Sequence, residues 1–173
     1  MAEYVDEVHL AAWRAFLNAH AAVIDRIERE MVATGVLPLG SYDVLVPLSE
    51  APDHRLRLHE LASRVVLSRS TLTRVVDRLE AAGLLARERV ATDRRGAYAV
   101  LTEKGQQALI AAWPVYARGI QAHFACYLDD DEVRVLTAAL SRVDAAARSG
   151  PGTKVPWQDA GTEVPRAAER ARL

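Results

Sequence analysis

At 173 residues, half of them hydrophobic and 26% charged, the chain is long enough for one domain with a real core and too apolar to be disordered. Its formal net charge of -1 argues on its face against a nucleic-acid binder, and its one cysteine, Cys126, excludes an intramolecular disulfide. No run approaches the ~18 uninterrupted apolar residues of a membrane span, so no membrane partner is expected.

The opening MAEYVDEVHL is acidic and lacks the basic-then-apolar order of a secretion signal; with the single cysteine this predicts a cytoplasmic protein. A long helix is expected from Asp6 to about Ala33, where Leu10, Trp13, Phe16, Leu17, Ile24, Ile27 and Met31 recur at helical spacing. Gly35 and Pro38 close it. Gly40 to Glu50 should hold a shorter helix starting near Ser41, its expected N-cap, with Pro47 late in it as a kink or early stop. Arg55-Leu56-Arg57 alternates like a brief strand. His59 to Val65 reads as a short helix, Val66 and Leu67 as a turn, and Ser68 as the N-cap of the next helix, which stops at Gly83. Two helices joined by a tight turn make a helix-turn-helix whose second member is the recognition helix.

That second helix has two unlike sides. At about 100° per residue, Leu72, Val75, Val76, Leu79 and Ala82 cluster on one side, while Arg69, Ser70, Thr73, Arg74 and Asp77 fall on the other. Short hydroxyls and arginines are what base edges and phosphates bond to, and a helix N-terminus adds N–H donors for a phosphate. A merely solvated helix face is the plain alternative, but it does not account for the glycine stop, the hairpin and the arginine pair at its tip. Leu85–Val90 and Ala97–Leu101 read as hairpin strands around the tip Asp93-Arg94-Arg95-Gly96. Arg95 or Arg94 would enter a minor groove, with Asp93 holding the guanidinium in place. The charge agrees: from Arg55 to Lys104 there are 11 Lys/Arg against 6 Asp/Glu, a local +5, so the rest of the chain carries -6.

Thr102 should cap a long helix from Glu103 to about Tyr127, bent at Pro114. Asp129-Asp130-Asp131-Glu132 places negative charge on the first turn of a last helix reaching about Arg148. Residues 149–173 have little periodicity and read as a C-terminal tail.

Leu58-x-x-Leu61-Ala62, Ser70-x-x-Thr73-Arg74-x-x-Asp77-x-Leu79-Glu80, Gly83-Leu84-x-x-Arg87, Asp93-Arg94-Arg95 and Leu101-Thr102-x-Lys104-Gly105 occur in this order and spacing. In them the chain resembles the multiple antibiotic resistance regulator (MarR) family of winged helix-turn-helix transcription factors. The resemblance implies a mainly α (α+β) fold, a winged helix-turn-helix with long flanking dimerisation helices. It assigns residues 1–34 and 103–148 to a helical dimerisation region, 40–102 to the DNA-binding region and 149–173 to the tail. It implies a homodimer on double-stranded DNA, at a pseudo-palindromic operator with half-sites about one turn apart. It also implies a repressor released by a small aromatic or anionic effector. Carried over residue by residue, Ser70, Thr73 and Arg74 read bases and phosphates and Arg95 is the wing-tip contact; Arg69 and Arg94 are added by the face and charge argument. Pro47 and Pro114 depart from the family layout and bear on how the DNA-binding lobes are spaced.

For the effector, Trp13 with Arg14, His9 and His20 on the first helix, joined by Tyr42, would offer an aromatic wall and a cation to an aromatic carboxylate. The competing reading is dimer core for Trp13 and solvent for Arg14. His123 and Cys126, three apart on an expected helix, share a face and would suit a redox or metal-responsive regulator, against the commoner buried structural cysteine. The five histidines form no tight ligand motif, and no metal or cofactor is expected. A winged helix serving as a protein–protein adaptor without DNA binding is the other alternative, disfavoured by the arginine surplus. There is no Gly-rich phosphate loop, nucleophile elbow, HExxH or plausible triad order, so no catalytic residue is assigned and no enzyme is expected.

Overall fold

The computed structural model describes residues 5–89 and 97–149. The chain divides into two compact units, residues 1–127 and 128–173. Among the described residues no helix is long and apolar enough to cross a membrane.

The first unit opens with α1 (Glu7–Ala33), whose N-cap Asp6 accepts from the His9 backbone N–H at 2.9 Å. That bond, and the His9 ring nitrogen 2.7 Å away, hold the Asp6 carboxyl below its ordinary range. The helix has two halves. Up to Ala22 nearly every residue is exposed, whereas Ile27 and Met31 are buried at 2% and 0% exposure.

α2 (Leu39–Glu50) begins two residues before the expected start. Ser41 is not its cap: Pro38 stands at that position, and the first helical N–H, of Leu39, donates to the Glu28 carboxylate of α1 at 2.5 Å. The cap is supplied across the fold, from eleven residues away, and leaves Ser41 buried. The helix runs through Pro47 to Glu50. After a 3₁₀ turn at Pro52–His54 come β1 (Arg55–Arg57), α3 (Leu58–Arg64) and α4 (Arg69–Ala81). Then follow β2 (Leu85–Arg89), β3 (Ala97–Leu101), α5 (Glu103–His123) and a second 3₁₀ turn at Ala125–Tyr127.

The strands form an antiparallel sheet ordered β1-β3-β2, with Leu56 opposite Ala99 and Leu85 opposite Leu101. Those four residues face the core, where they meet Leu45, Leu48, Leu61 and Leu79. On the other face the guanidinium carbons of Arg55 and Arg57 sit 5.1 and 5.5 Å from the centre of the Tyr98 ring. The tip joining β2 to β3, including Asp93, Arg94 and Arg95, lies outside the described residues, as do residues 150–173 of the expected tail.

α5 ends at His123, four residues short of the expected end, because Phe124 leaves helical dihedrals (φ -136°, ψ -64°). Cys126 therefore sits in the following 3₁₀ turn, and the shared helical face expected for His123 and Cys126 does not form. His123 turns instead to Glu30 of α1, ring nitrogen to carboxylate 2.6 Å, while the exposed Cys126 thiol lies 3.3 Å from the Ala122 carbonyl. Among the described residues no group of three or more His, Cys, Asp or Glu is placed to hold a metal.

The second unit is α6 (Asp130–Ser149) in its described part. Asp129 Oδ1 accepts from the N–H groups of Asp131 and Glu132, and Glu132 returns a carboxylate to the Asp129 N–H at 2.9 Å. The acidic cluster is thus a reciprocal capping box. Val133, Leu136, Leu140 and Val143 recur along α6 at three- and four-residue steps, with Val143 63% exposed.

Candidate nucleic-acid interface

The α4 sequence folds as its spacing requires. Leu72, Val75, Val76 and Leu79 are buried, at 5%, 6%, 1% and 2% exposure, and each contributes roughly 1.5–3 kcal/mol by leaving water. Arg69, Ser70, Thr73, Arg74 and Asp77 are all exposed on the opposite side. The helix starts at Ser68, whose Oγ accepts from the Thr71 N–H at 3.2 Å. It ends with Gly83 at φ 70°, a left-handed conformation that glycine adopts without strain. There the Gly83 and Leu84 N–H groups bond back to the Glu80 and Leu79 carbonyls, both at 2.9 Å, in a Schellman closure.

The polar face is partly pre-set. Thr73 donates its hydroxyl proton to the Arg69 carbonyl at 2.9 Å, so toward the outside it presents acceptor lone pairs and a methyl group. Such a residue suits a base amino group or a thymine methyl better than a phosphate oxygen. The Ser70 hydroxyl lies 3.1 Å from that of Ser68, at the turn where the helix N-terminus offers its donors. Asp77 is held: Arg87 of β2 reaches its carboxylate at 2.5 Å with one nitrogen and that of Glu80 at 2.5 Å with the other. The Asp77 bond, offset in part by desolvation and reinforced by Glu80, raises the Arg87 pKa further and keeps it charged. The fork joins β2 to α4 and pairs the carboxylate on the exposed, otherwise basic face of that helix.

Sequence reasoning placed Arg87 in the motif but missed this fork. The signal was present. Asp77 and Glu80 are three apart on one helix face, and strand alternation puts Arg87 on the same side of the sheet as Leu85, toward α4. A concavity of about 270 Å³ lies beside the fork, with Leu72 and Val76 in its lining and His59, Arg69, Thr73 and Arg87 as its polar members. It falls below the ~300 Å³ lower bound of ordinary small-molecule pockets.

The residues expected at an effector site are dispersed within one protomer. His9 is engaged by Asp6, Trp13 lies 5.9 Å from the Phe16 ring, His20 follows 6.1 Å from Phe16, and Arg14 is exposed. Tyr42 packs in the core, its ring 4.9 Å from Tyr116. Burial, then the neighbouring Tyr116, Asp43 and Glu50, raise its phenol pKa.

The α3–α4 pair is thus a helix-turn-helix whose second helix shows a basic, hydroxyl-rich face, followed by the two strands of a wing. The model of the MarR family matches residues 37–96. The regulator MhqR of Bacillus subtilis (strain 168), named as HTH-type, is 31% identical over 131 residues, covering 76% of this chain and 88% of its own. The crystal structure of AbsC, a MarR family transcriptional regulator from Streptomyces coelicolor, superposes with a TM-score of 0.76 at 30% identity, covering 86% of this chain and all of AbsC. The chain belongs to the MarR family. It is a winged-helix transcriptional regulator of that family, mostly helical with one small antiparallel sheet. Sco3205, a MarR family regulator from the same organism solved in complex with DNA, gives a TM-score of 0.77 at 27% identity over 91% of this chain and 98% of its own.

Proposed function

We propose that this MarR family regulator is a homodimeric repressor that grips a pseudo-palindromic operator and lets go when a small aromatic or anionic effector binds. One observation carries the reading: the exposed face of α4, where Arg69, Ser70, Thr73 and Arg74 stand opposite a fully buried apolar stripe. Arg69 and Arg74 take phosphates or guanine edges, Ser70 and Thr73 take base edges, and Arg94 and Arg95, braced by Asp93, reach the minor groove from the wing. Three relatives support the direction. Sco3205 is solved with DNA, YetL of Bacillus subtilis (31% identical over 93 residues) is named a repressor, and BpsR of Bordetella bronchiseptica has its DNA binding regulated by 6-hydroxynicotinic acid.

The dimer reading is supported by apolar surface left open in each unit. On α1, Val8, Trp13, Phe16 and Leu17 are 41–78% exposed, and on α6 Val135 and Val143 are 70% and 63% exposed. Residues 1–34 and 103–148 supply this dimerisation surface, and the effector is met by Trp13, Arg14 and His9 on the exposed half of α1, together with Tyr42 of α2. The protein works in the cytoplasm as a binding protein, without catalysis.

Titrating the protein with duplex DNA at rising salt tests the core of the reading. Several phosphate contacts make log K fall steeply and linearly with log salt. Absence of binding at low salt sinks it and favours a protein–protein adaptor. Screening aromatic carboxylates for release of the bound duplex tests the effector arm.

A further inference from the structure

The chain leaving the C-terminus of the recognition helix is held by the start of α5. The Thr102 hydroxyl caps α5 by accepting from the Gly105 N–H at 3.0 Å, and donates its own proton to the Gly83 carbonyl at 2.8 Å. The Thr102 N–H donates to the Leu84 carbonyl at 3.3 Å, and the Lys104 ammonium donates to the Ala82 carbonyl at 2.7 Å. Three successive carbonyls leaving α4, those of Ala82, Gly83 and Leu84, thus end on the first turn of α5. The backbones touch there: a Cβ on Gly105 would stand 2.0 Å from the Leu84 oxygen, so only glycine fits.

Lys104 is electrostatically out of place for its own helix. A cation in the first turn of α5 opposes the positive end of that helix's dipole, and Glu103 beside it is the residue type expected there. Its partner is the opposite end of another helix. At the C-terminus of α4 the dipole is negative and the outgoing carbonyls need donors, which the exposed, flexible lysine reaches across 22 residues of sequence. Farther along, α5 packs against α1 and α2, and its last residue, His123, bonds Glu30. α5 therefore links the α1 contact to the end of the recognition helix.

We infer that Lys104, with Thr102, is a positioning residue for DNA recognition: it sets the angle at which α4 is presented, so that the pose of α5 aims the base-reading face. The inference rests on the reading of α4 as the DNA-reading helix. A mis-aimed helix still feels the phosphate field but loses its base contacts. Loss of Lys104 should therefore cost sequence discrimination more than general affinity.

The test uses a duplex that the full-length wild-type protein enriches from a randomised pool, and an unrelated duplex of the same length. Lys104→Met keeps the aliphatic length and removes donor and charge. It is expected to weaken binding to the enriched duplex about tenfold and to the unrelated duplex less than about twofold. Helical content and the salt slope should stay unchanged, and Lys104→Arg should restore discrimination. Should Lys104→Met lower helical content, Lys104→Gln and Thr102→Val are read by the same pair of duplexes. Equal weakening on both duplexes with the slope reduced by about one makes Lys104 a phosphate contact and overturns the proposal. An unchanged Lys104→Met beside a wild type that enriches DNA overturns the positioning role alone. A wild type that enriches no duplex overturns the DNA reading on which the proposal stands.

Discussion

α4 and the first half of α1 both carry an apolar stripe along one side of a helix, and only α4 completes the burial of its own. Val76 and Leu79 are 1% and 2% exposed, whereas Trp13, Phe16 and Leu17 remain 54%, 41% and 42% exposed. A stripe satisfied inside the protomer leaves the opposite face to be read as function, and on α4 that face is basic and rich in hydroxyls. The stripe left open on α1 is where the proposed dimer contact would form. The aromatic run Trp13–Phe16–His20, with rings about 6 Å apart, is the open surface on which the proposed dimer rests.

The widest way to break this comparison is to injure each stripe in turn. Leu79→Ala empties a fully buried site and is expected to cost about 2–5 kcal/mol, measured as a fall in the urea midpoint at fixed protein concentration. Phe16→Asp should scarcely disturb the protomer, since the ring is already open to water. It should instead shift sedimentation toward monomer by roughly 2 kcal/mol of association, the scale of an aromatic anchor at an interface. If Phe16→Asp leaves the oligomeric state unchanged, the open stripe of α1 is not the dimer surface.

The same contrast between local and distant partners separates the features legible in the sequence from those that were not. Ser68, Gly83 and Thr102 announced their helix boundaries because each cap is made by a residue within a turn of the end it closes. The start of α2 did not, because its cap is a carboxylate on α1 and no local pattern encodes Glu28 meeting Leu39. Likewise α5 was overdrawn to Tyr127: helical spacing carries through Phe124, whose dihedrals break it without a glycine or proline to mark the place. On the site, the polar face of α4 followed from periodicity alone. The Arg87 fork was legible in the Asp77–Glu80 spacing and the strand alternation that turns Arg87 toward α4; the Lys104 bond needed the third dimension, since it joins residues 22 apart across a helix junction.

A smaller effect sharpens the functional side of the comparison. Arg74→Ala removes an exposed arginine from the face of α4, so the urea midpoint should hold while operator affinity falls by about 1–3 kcal/mol if the residue reads a base. If Arg74 instead meets a phosphate, the loss should be similar on every sequence and the salt slope should drop by about one. Equilibrium titration of matched and scrambled duplexes separates the two. No loss on either removes Arg74 from the interface.

The smallest effect is expected at Asp43, on α2. Crowding by neighbouring chain segments and then the like charge of Glu28 raise its carboxyl pKa. Glu28 cannot turn away, because its carboxylate is the cap of α2. A carboxyl raised by folding favours the protonated state. It stabilises fully below its unfolded pKa and loses that contribution as pH rises through the folded value, so at neutral pH its charge is a burden. Asp43→Asn should therefore raise the urea midpoint at pH 7 and have little effect below about pH 3, where the wild-type group is already neutral. Because the side chain still reaches solvent, the gain should stay below about 1 kcal/mol. An equal gain at both pH values would mean that the amide packs better and that the charge beside Glu28 is not the cause.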